Sequence, residues 1–217
     1  MTSLLGAETL AAIGRHRPLR PGLVTGTDIR RYCVAIDNLD PLYLDSDAAR
    51  AAGHADVLAP PLFAHAPLRP SPLQSDLLPD GQLPDLAPPG LEHLQSLLAG
   101  QEWEFHRPVT AGERLVEDTW YGPIEEREGR NGPLVFVTEE SLISDEAGEP
   151  VLRSRNRLIF RQAPAGQTAS VAPHAPAPDS GAPATRFIDG KLIKRPSMVA
   201  LFMFDAVIWA THRLHWD

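Results

Sequence analysis

Three stretches decide the fold of this chain: LVEDTWY (residues 115–121), LVFVTEESLI (134–143) and VLRSRNRLIF (151–160). Apolar residues stand at both ends of each stretch and polar residues in its middle, and strict period-two alternation comes just before them, at Glu102-Trp103-Glu104-Phe105. Such short runs are typical of strands with one buried face. Glycine-containing segments at 129–132 and 145–148 separate them and are typical of tight turns. The sequence therefore predicts an antiparallel meander, preceded by a further strand from Trp103.

Helices are predicted before the meander. The three-four spacing of Ile29, Tyr32, Cys33 and Ile36 predicts an amphipathic helix, with Thr27 as its N-cap. A short opening helix is expected over residues 2–13. Residues 60–90 contain nine prolines, which favour an extended excursion. Two helical segments are expected to cover the apolar face of the sheet, at 62–66 and 91–98.

A polar loop follows the amphipathic helix. Pro41 prevents the helix from continuing, so Asn38, Asp40 and Tyr43 are expected to extend from an irregular turn. Functional side chains are common on loops held by a rigid scaffold. Asn38 and Asp40 are therefore candidate substrate-binding residues.

Motifs in three places resemble the MaoC-like hot-dog proteins. RYCVAIDNLDPLYLD (31–45) is similar to their hydratase signature, and GQEWEFHRPV (100–109) followed by AGERL (111–115) matches further along. LFMFDAVIWATHRLHWD (201–217) resembles the start of the second half of the two-hot-dog type 2 hydroxyacyl-thioester dehydratases and mesaconyl-CoA hydratases. The resemblance implies an α+β hot-dog fold, in which an antiparallel sheet wraps around a central helix.

This resemblance also implies a domain organisation. Residues 1–162 correspond to the N-terminal hot-dog domain. Residues 163–185 are rich in Pro and Ala and are expected to form a flexible linker. Residues 186–217 then correspond to the start of a second, truncated hot-dog domain.

The candidate catalytic residues lie in the last segment. His215 falls on the catalytic His position of the family's second signature, and an imidazole is well matched to proton transfer near neutral pH. His212 and Arg213 are expected to support it or to contact the substrate. The family's Asn position is occupied by Ala210, which cannot form a side-chain hydrogen bond.

The first signature departs further from the family. Asn38 stands at its Asp position, Asp40 at its Asn position and Tyr43 at its His position. Neither an amide nor an unperturbed phenol transfers protons well at pH 7. This half therefore resembles the non-catalytic half of such proteins.

Composition excludes several classes of function. A net charge of −8 and a pI near 5.5 argue against a nucleic-acid-binding surface. The single cysteine, Cys33, excludes an internal disulfide and fits a buried structural thiol. No cofactor and no metal are expected. The chain lacks a signal-like start and a membrane-length apolar run, so a cytoplasmic location is expected.

Three functional hypotheses follow from the resemblance. In the first, the chain is an (R)-specific enoyl-CoA hydratase or 3-hydroxyacyl-thioester dehydratase acting on an acyl-CoA or acyl-carrier-protein thioester. In the second, it is a non-catalytic substrate-binding half that needs a hot-dog partner. The third is a thioesterase or acyl-binding module, since a fold does not fix a function. A homodimer, or a heterodimer with another hot-dog subunit, is expected.

Overall fold

The computed structural model describes residues 3–77, 87–162, 185–194 and 198–208. The helices are α1 (Ala7–Ala11), α2 (Gly26–Ala35), α3 (Pro41–Leu44), α4 (Ser46–Ala51) and α5 (Met198–Ile208), with 3₁₀ segments at Pro61–Leu68 and Gln74–Asp76. The strands are β1 (Arg20–Leu23), β2 (Gln95–Phe105), β3 (Arg114–Gly129), β4 (Gly132–Asp145), β5 (Pro150–Arg161), β6 (Thr185–Ile188) and β7 (Lys191–Lys194).

A five-stranded antiparallel sheet is the main element, in the order β1-β3-β4-β5-β2. The predicted meander is confirmed as β3, β4 and β5, and the short turns between them lie where the glycines indicated. Long strands joined by tight turns pair with their sequence neighbours, so this part of the fold follows from local signals.

The helix α2 packs on the inner face of the sheet. Its buried residues include Ile29, Tyr32 and Cys33, as the spacing predicted. The predicted cap was wrong by two residues: Thr25, not Thr27, is the N-cap, and its hydroxyl accepts a hydrogen bond from the Asp28 amide at 3.1 Å. Thr25 has the extended backbone that an N-cap needs.

The helix predicted over residues 91–98 is also wrong. Residues 95–98 are the first part of β2, which pairs with β5 from Gln95 opposite Arg161. A short segment with several leucines fits either a helix or a strand. Here its second half forms a strand because it pairs with the edge of β5. The 3₁₀ segment Pro61–Leu68 does cover the sheet, with Phe63 and Leu68 buried beneath it.

Two apolar clusters fill the inner face of the sheet. One lies around α2 and the 3₁₀ segment and includes Leu115, Ile143 and Leu152. The other lies at the opposite end and includes Val135 and Phe160. Between them the buried inward positions are polar: Glu117, Thr119, Ser141 and Ser154.

The C-terminal part of the described chain contains a hairpin and a helix. Strands β6 and β7 pair across a turn in which Asp189 and Gly190 both have positive φ, as a two-residue hairpin turn requires. In α5, Phe204 packs against Tyr32 of α2 with ring centroids 5.8 Å apart. The expected linker at 163–185 lies outside the described residues except for Thr185, and the second domain over 186–217 stays a prediction.

The contact between β1 and the 3₁₀ segment gives a stability prediction. A Cβ on Gly22 would collide with the Pro67 carbonyl oxygen and lie 2.8 Å from its carbon, whereas a Cβ on Gly100 would meet nothing within 4 Å. We expect Gly22→Ala to lower the free energy of unfolding by about 1–3 kcal/mol, the usual cost of overpacking. Gly100→Ala should change it by less than about 0.5 kcal/mol. Urea denaturation of both variants checks this, and equal effects would contradict the packing described.

Candidate functional site

A mostly apolar cavity of about 340 Å³ lies beside the loop that the sequence singled out. We call it the Tyr43 pocket. Its walls come from α3, the segment leading into the 3₁₀ helix, the end of β2 and the start of β5: Tyr43, Leu58, Ala59, Pro60, Pro61, Ala64, Phe105, His106, Arg107, Pro108, Val109, Val151 and Leu152. Such a lining suits an apolar ligand with a few polar contacts at the mouth.

Tyr43 is held in this wall by a short helix. Pro41 stands at the first turn of α3, where its fixed φ is favourable and its missing N–H is not needed. The Leu58 amide donates to the Leu42 carbonyl at 2.9 Å, and the Ala59 amide donates to the Val109 carbonyl at 2.8 Å. These bonds fix α3 against the other walls of the Tyr43 pocket.

Asn38 and Asp40 lie on the loop before α3 but make local contacts. The Asn38 Oδ1 accepts from the Asp40 amide at 3.3 Å, and the Asp40 Oδ1 accepts from the Leu42 amide at 2.9 Å. Asp40 is exposed and is the N-cap of α3. In this conformation both side chains stabilise the turn that carries Tyr43, and neither lines the pocket. Their substrate-binding role stays a prediction.

Tyr43 is poorly suited to transfer protons at neutral pH. Burial raises the pKa of its phenol above the ordinary value, and the charge of Asp40 and the neighbouring Cys33 raise it further. The phenol therefore stays protonated near pH 7 and can donate a hydrogen bond. Tyr43 can orient an oxygen of a ligand, but it is not a general base there.

Ion pairs hold Arg107 at the rim of the pocket. Its guanidinium lies 2.8 Å from a carboxylate oxygen of Glu113 and 2.8 Å from one of Asp145. The Glu149 amide and Arg107 are among the groups that hold the pKa of Asp145 below its ordinary value. Arg107 thus lies at the mouth of the Tyr43 pocket with its charge already paired to two carboxylates.

The candidate catalytic residues His212 and His215 and the candidate substrate-binding residue Arg213 lie outside the described residues. The same holds for Ala210. In the part of the chain that the structure describes, no group of three or more His, Cys, Asp or Glu side chains could hold a metal ion. In that same part, no helix has both the length and the apolar character needed to cross a bilayer.

One buried acid was missed by the sequence analysis. Glu117 is buried on the inner face of β3, where its side chain is 10% exposed. The available signal was its position: it alternates in phase with Leu115 in a predicted strand, so it had to face inward with the core. His65 lies 3.6 Å from it.

The chain was compared with known sequences. The family described as "FAS1-like, dehydratase domain region" matches residues 11–154. A UPF0336 protein of Saccharopolyspora erythraea is 35% identical over 150 residues, which cover 69% of this chain and 88% of that protein. A UPF0336 protein of Streptomyces griseus is 31% identical over 152 residues, covering 70% and 93%.

Solved structures were also compared. A MaoC-like dehydratase aligns with a TM-score of 0.64 and 20% identity, over 96% of this chain and 70% of the other. A chain of the ChsH1–ChsH2 complex from Mycobacterium tuberculosis aligns with a TM-score of 0.56 and 21% identity, over 74% and 95%. The predicted α+β hot-dog fold and the resemblance to MaoC-like proteins are confirmed.

The environment of Tyr43 gives a prediction about its titration. Replacing Asp40 with Asn keeps a capping oxygen but removes the negative charge, so the pKa of Tyr43 should fall part of the way toward its ordinary value. It should stay above that value, since burial is the larger cause. NMR titration of ring-labelled tyrosine measures it, with Tyr43→Phe to identify the signal. An unchanged pKa in Asp40→Asn would rule out the electrostatic contribution of Asp40.

Proposed function

Because this chain belongs to the FAS1-like dehydratase-region family and has the fold of MaoC-like hot-dog dehydratases, we propose that it acts in adding water to acyl thioesters or removing it. The reaction is the (R)-specific hydration of an enoyl thioester or the dehydration of a 3-hydroxyacyl thioester, carried on coenzyme A or acyl carrier protein. In this reaction the chain is the acyl-binding hot-dog component, and a hot-dog partner completes the acid–base machinery.

The Tyr43 pocket carries this proposal. It lies where the hydratase signature falls in the sequence, and its walls are mainly aliphatic and aromatic. An acyl chain gains free energy by leaving water for such walls, at about 25 cal/mol per Å² of apolar surface. A thioester head group would then meet the polar mouth near Tyr43 and Arg107.

Hydration requires chemistry that the described walls of the pocket lack. A base must take a proton from water, an acid must deliver one to the α carbon, and the thioester oxygen needs a hydrogen-bond donor. Tyr43 can serve as a donor. Of the other polar groups, Arg107 is a permanent cation and is paired with two carboxylates. His106 is exposed. In this proposal the partner subunit supplies the acid and the base in place of these groups.

Among the described residues no strand pairs with the outer edge of β2, and this supports a partner subunit. This strand pairs with β5 on one side and is at the end of the sheet order on the other. Its eleven residues contain neither Lys nor Pro, the residues that commonly protect an edge strand. Leu98 on it is 58% exposed. A second hot-dog sheet, from another copy or from a different subunit, can extend this edge by strand pairing.

A second candidate function rests on one sequence observation. His215 falls on the catalytic His position of the family's second signature. In this alternative the chain supplies its own proton carrier, and Ala210 leaves that carrier without the usual amide partner. The two candidates differ in whether the chain turns over substrate alone.

An activity assay separates the two candidates. We expect the purified chain to hydrate crotonyl-CoA weakly or not at all, and to do so strongly when mixed with a hot-dog subunit that has an intact Asp and His signature. His215→Ala should leave the mixed activity unchanged, as should the exposed control His93→Ala. Strong hydration by the chain alone that falls by roughly 10²- to 10⁴-fold in His215→Ala would establish the second candidate instead.

The edge of β2 gives a prediction about assembly. We expect the chain to associate through this edge, and Leu98→Lys should weaken association because it places a charge where a second strand would pair. Leu73→Lys is the matched control, since Leu73 is 71% exposed and lies outside the sheet. Sedimentation velocity measures both variants. A wild-type chain that stays monomeric at micromolar concentration, alone and with a hot-dog partner, would rule the interface out.

A further inference from the structure

A second cavity lies on the same face of the sheet and has a more polar lining than the Tyr43 pocket. Its volume is about 320 Å³, and we call it the His65 chamber. The 3₁₀ segment Pro61–Leu68 and the end of α5 contribute to its walls, and the middle of the sheet contributes the rest. Its polar wall includes Glu117, His65, Thr119, Ser141 and Ser154.

The register of the sheet explains why these residues lie together. Thr119 is opposite Ser141, Ser141 is opposite Ser154, and Ser154 is opposite Trp103. These four residues form one row across β3, β4, β5 and β2. The hydroxyls of Ser141 and Ser154 lie 2.8 Å apart and share a hydrogen bond.

The two cavities are neighbours along the strands. The next row contains Leu152 opposite Phe105, and both line the Tyr43 pocket. Residues two apart on a strand point to the same face about 7 Å apart. An acyl chain lying in the Tyr43 pocket along the sheet therefore reaches the His65 chamber by advancing one row, past Trp103.

The carboxylate of Glu117 and the imidazole of His65 lie close together in the His65 chamber. His65 Nδ1 lies 3.6 Å from the Glu117 Oε1, a charge contact longer than a direct hydrogen bond. Burial raises the pKa of Glu117, but His65, Arg20 and the Ser141 hydroxyl outweigh burial and hold the pKa below its ordinary value. Glu117 is therefore an anion near pH 7.

One atom of the His65 chamber lacks a partner. His65 Nε2 is buried and has no hydrogen-bond partner among the described residues. The ring packs edge-on against Trp103 with centroids 4.7 Å apart, which fixes its plane. A buried polar atom without a partner costs free energy, so this nitrogen favours a ligand that supplies one.

The buried polar groups of the His65 chamber are also unnecessary for packing. Leu115 and Tyr121 on the same face of β3 are part of the two apolar clusters. An apolar side chain at position 117 would continue that core without the cost of burying a charge. A ligand therefore explains the burial of Glu117 better than stability does.

We propose that the His65 chamber binds a hydroxyl group carried on the acyl chain of the substrate, beyond the carbons at which water is added or removed. A hydroxyl both donates and accepts, so it pairs with Nε2 of a neutral or a protonated imidazole. This inference rests on the proposed function, because the Tyr43 pocket must hold the chain. The substrate class is thus a thioester whose acyl chain bears a distal hydroxyl.

Calorimetry with unreactive ligands tests the inference. The probes are a saturated acyl-CoA and its terminally hydroxylated counterpart of the same chain length, compared over several chain lengths with the full chain. We expect the hydroxylated ligand to bind about three- to tenfold more tightly at the length that reaches the His65 chamber, which corresponds to one net hydrogen bond. The ratio of the two affinities is an internal control, since both ligands meet the same preparation.

Variants of His65 test whether the tighter binding of the hydroxylated ligand depends on the His65 chamber. His65→Phe keeps a ring against Trp103 but removes Nε2, so it should bring the affinity ratio to about one. His65→Gln offers a polar group near the position of Nε2 and should retain part of the preference. The exposed control His93→Phe should leave the ratio unchanged. Thermal unfolding of each variant verifies that it is folded.

Each outcome decides one point. If the wild-type chain binds both ligands equally at every length, the His65 chamber is not a hydroxyl site, while the proposed function stands. If the preference survives in His65→Phe, the hydroxyl is recognised elsewhere and the inference is overturned. If the chain binds neither ligand, the proposed acyl-binding function fails, and the inference fails with it.

Discussion

The register of the central strands is the constraint on which the rest of the structure depends. Glu117 pairs with Ile143 in the β3–β4 ladder, and Ile143 pairs with Leu152 in the β4–β5 ladder, so rows of side chains cross the sheet without a break. A slip of one residue would turn every inward side chain outward. The apolar clusters and both cavities exist only in this register.

The irregularities of the sheet are consistent with that constraint. In β3 the buried positions are odd-numbered up to Tyr121, and the next buried residue is Ile124. The register shifts between these two residues, where Pro123 cannot donate to the ladder. The bulge thus keeps the apolar residues of both halves of a long strand on the inner face.

The Tyr43 pocket has a lining suited to an apolar ligand, but Tyr43 itself is a poor proton carrier. The loop brings a proline, the short helix α3 and the cavity together, and the phenol of Tyr43 in its wall stays protonated near pH 7. A scaffold of this kind can bind the same substrate while another subunit performs the proton transfers. Polar groups are instead concentrated in the His65 chamber, where Glu117 lies beside His65 and the adjacent row contains Thr119, Ser141 and Ser154.

The sequence by itself determined the meander, the helix α2 and the loop carrying Tyr43, because alternation, three-four spacing and a proline are local signals. It did not determine residues 95–98, which form a strand because they pair with β5. The N-cap of α2 was predicted at Thr27, whereas Thr25 caps the helix, because capping preference alone does not distinguish two threonines two residues apart. Glu117 and His65 are far apart in the sequence, and neither has a local signal for the other. Only the packing of the 3₁₀ segment on the sheet brings that carboxylate and imidazole together.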